Sequence, residues 1–290
     1  MNHRVTVIGT GRMGSALAAA LFHKGFATTI WNRTASKTEP LARLGLRVAH
    51  TVVEAVRESD VVIVNISDYN TTLELLQHPD VESALHGKIL VQLSSGTPKE
   101  ARQMESWARQ KEIAYLDGAI ASYPIGIGTS ECTIFYSGST ELFERVKPVL
   151  TAFGDNALLV GSEIGQASAL DVAMLTFTLG AMFGFLQGHI VCEAENLPTE
   201  EFMQSVRGLM PVLEGLVNDI SGRLQKKDYG GDQASIESWS VAPRELIGWC
   251  KDRGVDHSIA DAYLGLMDKA IRNGKGQADF ANLYEVLRKG

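Results

Sequence analysis

Cysteine is scarce in this chain, and so is positive charge. Its 290 residues include three cysteines, Cys132, Cys192 and Cys250. They are odd in number, lie far apart and form no CxxC or mixed His/Cys cluster. That excludes a disulfide framework and the usual zinc-site spacings; no metal is expected, and a reducing, cytoplasmic setting is. Lysine and arginine number 27 against 34 aspartates and glutamates, a formal charge of −7. A nucleic-acid partner needs a basic footprint for its phosphates, and none is present. The same balance argues against docking on anionic lipid. The chain enters the strand-like run Val5-Thr6-Val7-Ile8 without a basic, apolar and small-residue series before it, so no signal peptide is expected. The longest apolar stretch, Val172 to Leu186, is shorter than a bilayer span and bracketed by Asp171, Gln187 and His189. It predicts a buried helix and no membrane partner. Repeats and low-complexity tails are missing too. What remains is an ordinary globular composition, 45% hydrophobic and 21% charged, at a length suited to two modest domains.

Up to residue 161, strand-like and helix-like segments alternate. Val5–Gly9, Thr28–Trp31, Val61–Ile66, Ile89–Leu93 and Ile113–Tyr115 are short, apolar and rich in β-branched residues. Helical patterns occupy Gly14–Lys24, Thr38–Leu44, Val52–Glu58 and Pro98–Lys111. This alternation predicts a parallel sheet covered by helices, with both sheet faces buried. After Cys132–Ser137 and the amphipathic Glu141–Phe153 the character changes. Ile164 to Glu195 lacks proline, is strongly apolar and reads as one long helix. Gly180, Gly184 and Gly188 would let it pack closely, at a cost in helix propensity. Beyond Pro198 helical patterns continue in Thr199–Val217, Ile236–Arg253 and His257–Asn273.

Gly9-Thr10-Gly11-Arg12-Met13-Gly14 follows the first strand and opens the first helix. A lone GxGxxG is weak evidence, but here strand, helix and second strand all stand in the required order. Gly9 suits the tight turn, Gly11 a close approach to pyrophosphate, and Gly14 a close helix–strand contact, with the phosphates on the helix N-terminus. The first half, residues 1–161, is therefore expected to be a Rossmann domain. At the end of the second strand, Trp31-Asn32-Arg33-Thr34 lacks the acidic residue that would bind both ribose hydroxyls of NAD. Asn32 removes a repulsive charge, and Arg33 offers a guanidinium to a 2′-phosphate, with Thr34 and Lys37 as further donors. The expected cofactor is NADPH. Asn65, Ile66 and Ser67 after the third run, and Ser94 and Ser95 after the fourth, would line the same crevice, although Ser-Gly-Thr-Pro also suits an ordinary turn and helix cap. Residues 162–290 form the expected all-helical second domain, beginning with the long interdomain helix. A helix apolar on all sides must be covered, and the second half is too small to cover it alone, so an intertwined homodimer with shared active sites is expected.

Four segments give the chain a resemblance to the imine reductases and reductive aminases of the β-hydroxyacid dehydrogenase superfamily. They are Gly9–Gly14; Asn32-Arg33-Thr34; Asp117-Gly118-Ala119-Ile120 with Pro124 and Gly126-Ile127-Gly128; and Gly165-Gln166-Ala167-Ser168-Ala169-Leu170-Asp171. The hydroxyacid dehydrogenases carry Gly-x-Gly-x-x-x-Lys in the last segment, followed by paired asparagines. Here Asp171 replaces the lysine, and Met174 and Leu175 replace the asparagines. Their substrate-carboxylate motif Ser-Gly-Gly reads Ala121-Ser122-Tyr123. A carboxylate with apolar neighbours repels a hydroxy acid and suits an iminium, either by stabilising its charge or, if protonated, by donating to a neutral imine. The resemblance thus implies NADPH-dependent reduction of imines to amines with Asp171 as the catalytic group, R-type in selectivity. Helical spacing places Asp171, Met174, Leu175 and Thr178 on one face, which core packing would also explain. Ser122, Tyr123 and Trp239 complete the candidate pocket. Similar reductive aminases carry asparagine where Ser95 stands and tyrosine where Leu179 stands, so reduction of preformed imines is expected over condensation of ketone with amine. The alternatives are a carbonyl or hydroxyacid dehydrogenase with an unusual acid, and a catalytically inactive NADPH-binding regulatory protein.

Overall fold

The structure is a computed structural model that describes residues 3–288. Eight strands form one sheet: Val5–Ile8 (β1), Thr28–Trp31 (β2), Arg47–Val48 (β3), Val61–Val64 (β4), Ile89–Gln92 (β5), Ala114–Ile120 (β6), Thr129–Ser137 (β7) and Gly154–Gly161 (β8). Their order is β3-β2-β1-β4-β5-β6-β7-β8. The first six run parallel, β7 is antiparallel to β6, and β8 is parallel to β7. Every residue of β1, β4 and β5 is buried, because helices cover both faces. One apolar cluster joins Val5, Val7, Ile63 and Val91 to the helix Arg12–His23. The other joins Ile8, Val62, Val64 and Leu90 to the helix Pro98–Gln110. The reversal of strand order at β1 and β4 opens a crevice at the carboxyl ends of the strands.

All five expected strands form, and the fifth runs on to Ile120, while Cys132–Ser137 lies within β7. Two strands and two helices carried no clear pattern. β3 is two residues long and β8 opens on Gly154-Asp155-Asn156 and is only partly buried, so neither is a continuous apolar run. The helices Tyr69–Leu76 and Pro79–Leu85 are short and begin on local signals: Asp68 accepts from the Thr71 amide, and Pro79 occupies a first-turn position. Thr97 and Glu100 close a reciprocal capping box that starts Pro98–Gln110.

The chain forms two compact units, residues 1–178 and 179–290, and the long helix Gln166–Ala194 contributes to both. Its first turns belong to the sheet unit because Ala167 and Leu170 pack against Ala119 and Phe135. The second unit is helical: Thr199–Lys226, Ile236–Trp239, Val241–Arg253, Ser258–Arg272 and Leu283–Arg288 follow the long helix. The pattern expected over Ile236–Arg253 is two helices, broken at Ser240, whose hydroxyl donates back to the Glu237 carbonyl. A small core gathers Ile236, Met267, Ala270, Leu283 and Val286. Of the three glycines expected to permit close packing, Gly188 does so: a Cβ there would lie 2.8 Å from the Phe202 ring.

The long helix departs from the expectation of burial. Phe177, Met182, Phe183 and Leu186 are each more than half exposed, and the helix is long and apolar enough to cross a membrane. Its apolar residues run around the whole circumference, so one neighbour cannot cover it. The next helix, Thr199–Lys226, has no buried residue and exposes Leu209, Met210 and Val212.

Candidate active site

The glycine-rich turn takes the shape its sequence requires. Gly9 has φ +100°, and a Cβ there would fall 2.2 Å from the Asn65 carbonyl oxygen. A Cβ on Gly14 would fall 2.0 Å from the Gly9 carbonyl oxygen, so the helix lies directly on the strand end. In front of Gly11 there is open space. The helix starts at Arg12, two residues ahead of the expected position, with Gly11 as a cap that offers no side chain to its first amides. Those amides are left for an anion.

Gly9, Gly11, Arg12, Met13, Asn32, Arg33, Thr34, Lys37, Asn65, Ile66 and Ser67 line one cavity of about 370 Å³, together with Trp31, Thr71 and Leu75. Arg33 and Lys37 are exposed at its rim. A dinucleotide with an additional phosphate fits this donor set: free helix-end amides for pyrophosphate, two cations for the 2′-phosphate, apolar walls for the base. Several expected ligands turn out to brace the loops instead. Asn32 accepts from the Thr10 amide at 3.0 Å and donates to the Thr34 carbonyl at 3.0 Å. Buried Thr10 donates its hydroxyl to the Lys37 carbonyl. Asn65 donates to the Leu93 carbonyl, and Ser94 accepts from the Ile66 amide at 3.0 Å, which ties the β4 and β5 loops together.

Met13, Asn65 and Ile66 also wall a second cavity of about 320 Å³, which continues from the first. Its other walls are Leu93, Ser94, Ser95, Gly96, Gly118, Ala119, Ile120, Ser168, Asp171 and Leu175. Ser168, Asp171 and Leu175 follow helical spacing of three and four, so one face of the long helix closes the cleft. Asp171 is half-buried, and burial alone holds its carboxyl above the ordinary carboxylate range. The cleft sets apolar side chains beside serine hydroxyls, Asn65 and one partly desolvated carboxyl, next to the dinucleotide cavity.

Other pocket candidates lie elsewhere in the chain. Met174, displaced around the helix from the Ser168–Leu175 stripe, and Thr178, one turn further along that stripe, are exposed and outside the cleft lining. Ser122 donates its hydroxyl to the neighbouring Tyr123 carbonyl, and Tyr123 is 76% exposed. Trp239, in the helical unit, meets Phe280 edge to face at 5.8 Å. Sequence reasoning took Gly118, Ile120 and Ser168 as parts of family-like segments and did not assign them to the pocket. Ser168 carried a usable signal, since it precedes Asp171 by three residues on the same helix.

Sheet order, glycine turn and contiguous cavities together define an oxidoreductase built on a nicotinamide-dinucleotide domain. Residues 4–161 match the family model of the NAD binding domain of 6-phosphogluconate dehydrogenase. Residues 163–289 match that of the C-terminal domain of NADPH-dependent reductive aminase-like proteins. The imine reductase from Myxococcus stipitatus, solved with NADP+, superposes with a TM-score of 0.94 and is 44% identical, covering 98% of this chain and 99% of that one. An NADPH-dependent reductive aminase from Aspergillus oryzae is 28% identical over all of this chain and 99% of its own length. The reductive aminase from Aspergillus terreus, solved with a reduced cofactor, cyclohexanone and allyl amine, is 28% identical with a TM-score of 0.91, covering 99% of this chain and all of that one. The chain belongs to the imine reductase and reductive aminase family, within the wider group built on the 6-phosphogluconate dehydrogenase type of NAD-binding domain.

Proposed function

We propose that this protein reduces imines and iminium ions to amines at the expense of NADPH, with Asp171 as the group that answers the charge on nitrogen. The observation that carries this reading is the half-buried Asp171 carboxyl, with no charged neighbour in the lining of its cleft, beside the dinucleotide cavity that shares Met13, Asn65 and Ile66 with it. NADPH, when bound, supplies the hydride from its nicotinamide ring. The chain supplies the rest. The open face at Gly11 and the helix amides take the pyrophosphate, Arg33 and Lys37 take the 2′-phosphate, and Met13 and Ile66 lie where the two cavities join. Leu175, Leu93 and Ile120 supply apolar wall beside the carboxyl, and the loss of water there strengthens a charge interaction. At a separation of about 4 Å in such a site, a carboxylate stabilises an iminium by on the order of a few kcal/mol. A protonated Asp171 would instead hand its proton to a neutral imine nitrogen.

The deciding experiment follows NADPH oxidation with a small cyclic imine, an α-keto acid and a simple ketone, for wild type and Asp171→Ala. Imine-dependent oxidation that collapses at least a hundredfold in the variant supports the reading, general acid–base groups being worth about 10²–10⁴. Turnover of the carbonyl compounds alone, or no turnover with NADPH bound, rejects it. Ser95 and Leu179 favour preformed imines as the substrate class over ketone–amine condensation. The two exposed apolar helices support a second copy of the chain as their cover, in place of a membrane. Three unpaired, buried cysteines support a reducing compartment such as the cytoplasm.

A further inference from the structure

Beneath the cleft lies a carboxylate that hydride and proton transfer do not use. Asp117, in the middle of β6, is fully buried. Tyr69 donates its phenolic hydrogen to Oδ1, while Ser168 and Ser137 donate to Oδ2 at 3.0 and 3.3 Å. The groups that hold it are hydroxyls and the Ser168 backbone amide, with no cation among them. A buried carboxylate without a cation is costly, and an apolar side chain of similar volume would pack more cheaply. Its three partners have one thing in common: each belongs to, or holds, a segment of the cleft wall.

Tyr69 follows directly on Asn65–Ser67, which lines both cavities, and its ring packs against Gly96, where a Cβ would fall 2.2 Å from the ring. Ser168 itself lines the cleft, one helical turn before Asp171. Ser137 accepts from the Ala167 amide at 3.2 Å, securing the same turn from the β7 side. We propose that Asp117 is a positioning residue, a buried junction that holds the cofactor-side loop through Tyr69 and the Asp171-bearing turn through Ser168 and Ser137. It touches neither substrate nor cofactor. In kinetic terms the proposal rests on the imine-reducing function above, and its two arms separate.

Ser168→Ala cuts the arm to the helix. It lowers kcat for imine reduction about tenfold, the scale of one hydrogen bond to a charged group, and leaves the Kd for NADPH unchanged. Tyr69→Phe keeps the ring and cuts the arm to the loop, raising that Kd by a similar factor with kcat at saturating NADPH retained. Asp117→Asn keeps the shape and replaces one acceptor oxygen with a donor; at the junction of both arms it lowers kcat and raises the Kd for NADPH together. Losses of kcat and NADPH affinity in equal proportion in all three variants, tracking a falling Tm, would reduce Asp117 to general stability and overturn the proposal. Amide hydrogen exchange, read without any substrate, keeps it separate from the function. Ser168→Ala should speed exchange in residues 169–173 and spare 65–73, and Tyr69→Phe should do the reverse. If wild type reduces no imine but this split holds, the function falls and the junction stands. If exchange is unmoved in both variants, the junction falls.

Discussion

Among the described residues no cation pairs with Asp171, and burial alone raises its pKa. A cyclic N-methyl iminium carries a fixed charge and needs no proton. If Asp171 acts by donating a proton, Asp171→Asn will reduce that substrate at close to the wild-type rate while failing on the neutral imine. If it acts by charge, both substrates will slow together. Linkage gives a second expectation. The folded state disfavours ionised Asp171, so the stability associated with its protonated form is complete below the unfolded carboxylate range and is lost as pH rises through the raised pKa. Asp171→Asn should therefore raise Tm at neutral pH, and the gain should vanish as pH falls below ~4. Equal shifts at both pH values would show that the change is in packing alone. Arg33 is exposed at the mouth of the dinucleotide cavity. Arg33→Ala should raise KM for NADPH on the order of ten- to a hundredfold and leave KM for NADH nearly constant, as loss of charge-assisted hydrogen bonds to one phosphate requires. Equal changes for both cofactors would remove Arg33 from the 2′-phosphate.

Elements place these residues. The turn at Gly9 works because β1 and β4 are neighbours, which brings the Asn65 carbonyl against it. Gly14→Ala sets a methyl against the Gly9 carbonyl, and backbone cannot swing aside as a flexible side chain can. The variant should lose NADPH binding in direct titration even if the fold survives; unaltered affinity would mean that the helix start shifts freely. The long helix shows how an element serves two ends. Its first turns pack on Phe135 and Ala119 and present Ser168, Asp171 and Leu175 to the cleft, whereas its later turns carry Met182, Phe183 and Leu186 in the open. Met174 was expected in the pocket from i, i+3 spacing and from its place in the family-like segment, yet the cleft follows the 168–171–175 stripe. Periodicity defines a face about a hundred degrees wide, and only the neighbouring sheet edge decides which part of it meets the cavity.

At the scale of the molecule, the long helix and Thr199–Lys226 leave large apolar side chains uncovered. Covering them with a second copy predicts a dimeric mass by light scattering at micromolar concentration, and a monomer there would defeat the dimer. Leu186→Glu would place an unpaired charge in such an interface and should shift the mass towards monomer with a drop in Tm. Unchanged mass and Tm would mean that this face stays in solvent.

How far the sequence reached follows from the range of the forces involved. β1, β2, β4, β5 and the start of β6, the glycine turn, much of the cavity lining from Gly9 to Ser67, and Asp171 in the cleft were legible, because each rests on local pattern: continuous apolar runs, a strand–turn–helix register, a carboxylate followed by apolar residues. The sequence also determined that the long helix is apolar all round. Tertiary structure alone decided that Asn32, Asn65 and Ser94 spend their side chains on bracing loops, because hydrogen-bond partners 22 to 28 residues apart leave no local trace. It alone gathered Tyr69, Asp117, Ser137 and Ser168 into one buried cluster, with partners separated by up to 51 positions. Local patterns record which face a residue turns inward; what it meets there is set by strand order, and strand order is a property of the folded chain.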